Sequence, residues 1–120
     1  DEAGRDQEKL RTAARRLLEA GVREWVLIHS PHGVWAASVA EELWQPALRV
    51  PAERIKGAAG AGDALAAGVL LGLHEDWPMA QSLQLGVCAA AASLADATCS
   101  AGVLGAIECL RLADELGFQA

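Results

Sequence analysis

Gly57-Ala58-Ala59-Gly60-Ala61-Gly62-Asp63-Ala64-Leu65-Ala66-Ala67-Gly68 decides how the chain is read. Glycines alternate with alanines, an acid follows at once, and an apolar run continues to Leu73. This pattern predicts a small-residue loop opening a helix. Main-chain N–H groups in such a loop converge on one spot with no side chains in the way. The first helical turn adds unpaired N–H groups and the positive end of the helix dipole. Together they form an anion site, most naturally for phosphate. Asp63, at the helix mouth, either caps the helix or faces the bound anion and acts as a base.

Other readings of the same letters compete. A dinucleotide fingerprint needs a second parallel strand ending in an acid about 20 residues on. Here the helix is followed by Pro78 and an Ala-rich stretch without strand character. The phosphate loop of nucleotide triphosphatases fails as well, because no Lys follows the last glycine. A plain helix-entry turn with Asp63 as its cap fits the spacing equally well.

Gly60-Ala61-Gly62-Asp63-Ala64, then Ala67-Gly68 and Leu71-Gly72-Leu73, resembles the C-terminal signature of the ribokinase-like (PfkB) sugar kinases. The order of glycines, acid and helix agrees, and the layout of nearly all 120 residues follows suit. The resemblance implies an α/β chain, the C-terminal part of a three-layer α/β/α fold. It consists of a helix, two or three strands, then three helices. The whole of 1–120 is then the nucleotide-binding and catalytic portion of a PfkB-type kinase domain. The strands near 24–50 complete an upstream parallel sheet, and the sugar-binding part lies upstream too. The start at Asp1 without Met agrees with a fragment or a processed product.

The implied chemistry is ATP-dependent phosphoryl transfer to a hydroxyl of a sugar or related small polyol. Such transfer asks the protein for in-line positioning, stabilised equatorial oxygens and a group that accepts the alcohol proton. The backbone N–H groups of Gly60, Ala61 and Gly62 suit the second task. Asp63 suits the third, since an ordinary carboxylate is ionised at neutral pH. Mg²⁺ enters as the counter-ion of ATP, held by phosphates, water and residues outside this stretch; no metal ligands are assigned within it. The alternative is a non-catalytic nucleotide- or phosphate-binding module, or an interaction module, left by truncation or divergence of such a kinase. A dinucleotide-dependent oxidoreductase ranks third.

Composition sets the outer bounds. A length of 120 residues suits one domain or less, and 52% hydrophobic residues supply a core. Sixteen acids against ten bases give −6, which disfavours nucleic acid and anionic membranes as partners. No run reaches the ~18 apolar residues of a membrane span. Cys88, Cys99 and Cys109 lack metal-ligand spacing. They read as half-buried thiols of a reducing, cytoplasmic protein in preference to a metal or redox site.

Periodicity assigns the elements. Asp6–Ala20 reads as a helix with Leu10, Ala13, Ala14, Leu17 and Leu18 inward and Arg11, Arg15 and Arg16 on a solvated face. Gly21 ends it. Residues 24–29 and 34–39 read as antiparallel strands joined by the turn Ser30-Pro31-His32-Gly33, and 43–50 as a third near the sheet edge. His29 and His32 read as solvent-facing, a metal pair being disfavoured with no acid or thiol close in sequence. Asp63–Glu75 is the signature helix, with Leu65, Val69, Leu73 and Leu70 inward. Gly68 and Gly72 are placed for close packing. A further helix spans Met79 to about Ala95, with Leu83, Val87, Ala91 and Leu94 buried. Residues 96–102 form a loop, and a last helix spans Gly102–Leu116 with Leu104, Ile107, Leu110 and Leu112 inward. Trp25, Trp35, Trp44 and Trp77 read as packing anchors.

The resemblance carries over further residues. Ser30 and Gly33 fall on a glycine-containing segment that lines the nucleotide site in the family, with Ile28 and Ser30 replacing its usual Thr and Gly. Cys88 falls where the family often has an Asn that touches adenine. The loop 96–102 helps hold a monovalent cation in relatives. Gly57-Ala58-Ala59 replaces the family's Asp-Thr-x, which implies weak or absent potassium activation. The partners implied are the nucleotide and a small sugar or polyol; a homodimer is one arrangement the family allows.

Overall fold

The computed structural model describes residues 1–57, 59–95 and 106–119. Cys99, the expected cation loop at 96–102 and the expected inward Leu104 lie outside them. The chain divides into two compact units, Asp1–Pro46 and Ala47–Ala120.

The first unit is a helix on a three-stranded sheet. Helix α1 (Glu2–Glu19) starts four residues earlier than periodicity alone indicates, because the Asp1 carboxylate accepts from the Gly4 N–H at 2.6 Å and caps it. It stops at Gly21, whose φ of +116° lets the Gly21 and Val22 N–H groups turn back to Leu18 and Leu17 carbonyls. Strands β1 (Val26–Ser30), β2 (Gly33–Ala37) and β3 (Glu42–Pro46) form an antiparallel meander in the order β1-β2-β3. The register sets Ser30 opposite Gly33 and Trp35 opposite Trp44. Ala14, Val26 and Ala37 form the core between helix and sheet, with Leu18, Ile28 and Trp35 around them. Ala13 and Leu17, expected inward, are exposed, since only the Ala14–Leu18 line of α1 reaches the sheet. The arginine face is not simply solvated: Arg11 and Arg15 both approach Glu42 of β3, at 3.3 and 3.2 Å. The Arg11 guanidinium also lies 6.0 Å from the centre of the Trp35 ring.

The third strand ends at Pro46, short of the expected Val50. In the second unit, Leu48 pairs instead with Phe118, flanked by Arg49 N–H to Gly117 O and Gln119 N–H to Ala47 O, both 2.8 Å. Helices α2 (Ala61–His74), α3 (Met79–Leu94) and α4 (Ala106–Leu116) follow. Leu48, Leu85, Cys88, Ala91 and Cys109 form the core, closed by Trp77, Leu112, Leu116 and Phe118.

Helices α2 and α3 meet through glycines. A Cβ on Gly68 would lie 2.9 Å from the Gly86 Cα, and one on Gly72 would lie 2.8 Å from the Ser82 Cβ. The expected role of Gly68 and Gly72 in close packing is therefore met. The expected inward face of α2 is corrected. Leu65 and Val69 are buried, whereas Leu70 and Leu73 are exposed, because the contact face is the line Leu65, Gly68, Val69, Gly72. Ile107 of α4 is likewise 69% exposed, and Cys109 takes the inward position. Among the described residues no helix is long and apolar enough to cross a membrane.

Ser82 is fully buried at this contact and its hydroxyl has no hydrogen-bond partner among the described residues. An unpaired buried hydroxyl costs about 1–3 kcal/mol. Ser82→Ala is therefore expected to raise the urea midpoint. A lowered midpoint would mean that the hydroxyl has a partner in solution.

Candidate functional site

The glycine loop is held at its base by the Lys56 N–H, which donates to the Leu94 carbonyl at the end of α3 (2.7 Å), and by the Gly57 N–H to the same oxygen. Gly60 then adopts φ +86° and ψ −5°, the left-handed region that side chains disfavour. This turn lets the chain enter α2 directly. The first helical hydrogen bond runs from the Ala64 N–H to Gly60 O at 2.9 Å. The N–H groups of Ala61, Gly62 and Asp63 precede it and have no intrahelical acceptor. Asp63 lies in the first turn and is exposed, and its carboxylate enters no ion pair with a described residue. The structure thus brings Gly60, Ala61, Gly62 and Asp63 together at one helix end: N–H donors, a positive dipole end and an exposed acceptor side by side.

Cys88 does not belong to that end. It is fully buried in the α3–α4 core, and burial, followed by the nearby Cys109, pushes its thiol up to about 11. Burial also raises Cys109. The raised values keep both in the protonated thiol form at neutral pH. Cys88, the expected adenine contact, has no exposed surface in this chain.

Ser30 and Gly33 lie in the first unit, at the two-residue turn Pro31-His32 between β1 and β2. Gly33 has a packing reason of its own. A Cβ there would sit 2.3 Å from the Gln45 carbonyl and 2.8 Å from the Trp44 ring. Ser30 is already engaged. Its hydroxyl donates to Asp6 Oδ2 of α1 and accepts from the His32 N–H at 3.1 Å. His32 Nδ1 lies 3.0 Å from the same Asp6 oxygen. The expected solvent-facing His32 is therefore corrected, whereas His29 is exposed. No acid is close in sequence, but α1 delivers one from 26 positions away. Sequence spacing carries no signal of this cluster. A hydrolase-type triad is excluded here, since Ser30 contacts the carboxylate and not the imidazole.

The hydrogen bonds from Ser30, and after it His32, hold the Asp6 carboxyl below its ordinary value. A carboxylate depressed in the folded state stabilises the fold above its unfolded pKa, about 3.9, and this contribution is lost as pH falls through the folded value. The thermal midpoint is expected to fall on acidification below about pH 4 more steeply in the wild type than in Asp6→Asn. Parallel acid limbs would remove Asp6 as the linked group.

Residues 1–104 match the family model described as pfkB family carbohydrate kinase, and the chain belongs to that family. A comparison with curated proteins finds no match. Among solved structures, the chain is similar to the ribokinase of Thermotoga maritima, with a TM-score of 0.74 at 22% identity over 86% of this chain. It is also similar to phosphofructokinase-2 of Escherichia coli in complex with potassium (0.70, 18%, 88% covered). A third is a putative sugar kinase of Clostridium perfringens (0.78, 17%, 93% covered). These likenesses establish a ribokinase-like α/β fold. The chain spans 34%, 33% and 34% of the length of those three structures.

Proposed function

We propose that this chain is the nucleotide-binding and catalytic portion of a kinase that transfers a phosphoryl group from ATP to a hydroxyl of a sugar or related polyol. Membership of the pfkB family supports the reaction class. The observation that carries the reading is the left-handed Gly60 opening α2 with Asp63 exposed in its first turn. The N–H groups of Gly60, Ala61 and Gly62 are the anion hole for the transferring phosphoryl group. Asp63 accepts the proton of the attacking hydroxyl as the new O–P bond forms. Because α2 is anchored through Gly68 and Gly72, these groups are held before substrate arrives.

The helix end fits phosphate. No group of three or more metal-ligating side chains occurs among the described residues, so no step is assigned to a protein-held Mg²⁺. The ion accompanies ATP. The β1–β2 turn, with Ser30 and Gly33, is proposed as a nucleotide contact from the family resemblance. The buried thiols Cys88 and Cys109 suit a cytoplasmic location.

A second reading, a non-catalytic nucleotide- or phosphate-binding or interaction module, is supported by the burial of Cys88 and by the Asp6 carboxylate that accepts from the Ser30 hydroxyl. Calorimetric titration with Mg-ATP, and with NAD as control, tests the first. Saturable binding of ATP and not NAD is expected, together with ATP consumption on adding a sugar acceptor. Binding without turnover by any acceptor would favour the module. NAD binding would overturn both.

A further inference from the structure

Exposed positions on two of the helices carry charge: Arg5, Lys9 and Arg16 on α1, and Glu108, Arg111 and Asp114 on α4. Helix α2 is different. From Ala64 to Leu73 it has no charged or polar side chain. One line of it, Leu65, Gly68, Val69 and Gly72, is buried and meets α3. The other side, with Ala66, Ala67, Leu70 and Leu71, is exposed. Leu70 is 65% accessible, Leu71 44% and Leu73, beside them, 38%. A single exposed leucine is ordinary, but adjoining leucines and alanines with no charge among them mark a contact surface. A helix that is apolar all round is one that is covered all round. The exposed line also begins at Asp63. Asp63, Ala67, Leu70 and His74 follow at spacings of four, three and four, so they share one face. Whatever covers the leucines therefore lies on the side of α2 to which Asp63 belongs.

We infer that the Ala67–Leu70–Leu71 face of α2 is an interface whose occupant is the part of the same kinase molecule outside residues 1–120, seated there beside Asp63. This rests on the kinase reading given above. Length argues for that occupant. The chain spans 34%, 33% and 34% of the three structures that share its fold, so about two thirds of such a fold lies elsewhere. A second copy of the chain would cover the leucines without supplying any part of the fold that residues 1–120 lack. The contact also serves the chemistry. An apolar seat that starts at the base holds the remaining, acceptor-binding groups in fixed register with Asp63.

Photo-crosslinking of the complete kinase, produced with the diazirine analogue of leucine, identifies the occupant, because the analogue closely matches leucine in size and shape. Crosslinked peptides are mapped by mass spectrometry in material of single-molecule mass and in any of doubled mass. Links from Leu70 or Leu71 to residues outside 1–120 of the same molecule are expected. Links only between copies, links confined to residues 1–120, or capture of water alone overturn the inference. Leu70→Glu is the second probe. On a free surface such a change leaves the thermal midpoint within about 2 °C of wild type. Under a seated apolar partner it places an unpaired charge in the contact, and the midpoint of the complete kinase is expected to fall by about 5 °C or more. An unmoved midpoint overturns the inference. Neither readout involves turnover, so failure of either leaves the proposed function standing. A complete wild-type kinase that consumes no ATP with any sugar or polyol overturns that reading, and the inference with it.

Discussion

Asp63→Asn is expected to lower kcat of the complete kinase by about 10²–10⁴-fold, the range for removing a general base, while nucleotide affinity stays near that of the wild type. The amide keeps the shape of the side chain but accepts no proton. The proposed anion hole is main chain and is untouched, because Gly60 sets the helix entry through its own φ of +86°. Loss of a first-turn acid lowers helix stability by about 0.3–1 kcal/mol at most for an exposed site. A thermal midpoint within a few degrees of wild type therefore separates a chemical from a folding defect. The effect belongs in kcat and not in KM, since the proton moves only in the transition state. Near-normal turnover would remove Asp63 as the base and leave it a first-turn acid of α2. Turnover lost together with nucleotide binding would place it in ground-state binding.

Gly68→Ala gives the largest expected stability effect, and its sign comes from a competition. Ala favours helix over Gly by about 0.8–1.0 kcal/mol. Against this, the new Cβ would meet the Gly86 Cα at 2.9 Å and the Leu85 carbonyl oxygen at 3.0 Å. Both are main-chain atoms and neither can rotate aside, so the helices must separate. Overpacking of this kind costs about 1–3 kcal/mol. The net is a lower urea midpoint at unchanged slope. Gly72→Ala should act the same way, since its Cβ would meet the Ser82 Cβ and Cα as well as the hydroxyl. Removing that hydroxyl by Ser82→Ala should therefore not rescue it. Separation of α2 from α3 also moves the Gly60–Asp63 end relative to Leu94, whose carbonyl holds the loop. Unchanged or higher stability in Gly68→Ala would show that α2 and α3 are not in glycine contact.

The signature was legible because what it requires is local. Gly60 must turn left-handed, Asp63 must lie one turn inside a helix, and both follow from neighbouring residues. The hairpin was legible for the same reason: β-rich runs flank Ser30-Pro31-His32-Gly33, and the observed pairing closes on that turn. Periodicity failed on α2. Ala66, Ala67, Leu70, Leu71 and Leu73 are as apolar as the buried Leu65 and Val69, so the pattern gives no direction to the helix. The direction comes from absent side chains, Gly68 and Gly72, which permit an approach that leucines prevent.

The sequence by itself determined the element order, the family and the helix end where N–H donors meet an exposed carboxylate. Those rest on short-range geometry and on motif. Only the tertiary structure decided that Asp6 receives Ser30 and His32, that Glu42 receives Arg11 and Arg15, and that Cys88 is core. Each depends on segments far apart in the chain meeting with a particular face, and no local propensity encodes which charge a folded neighbour will present.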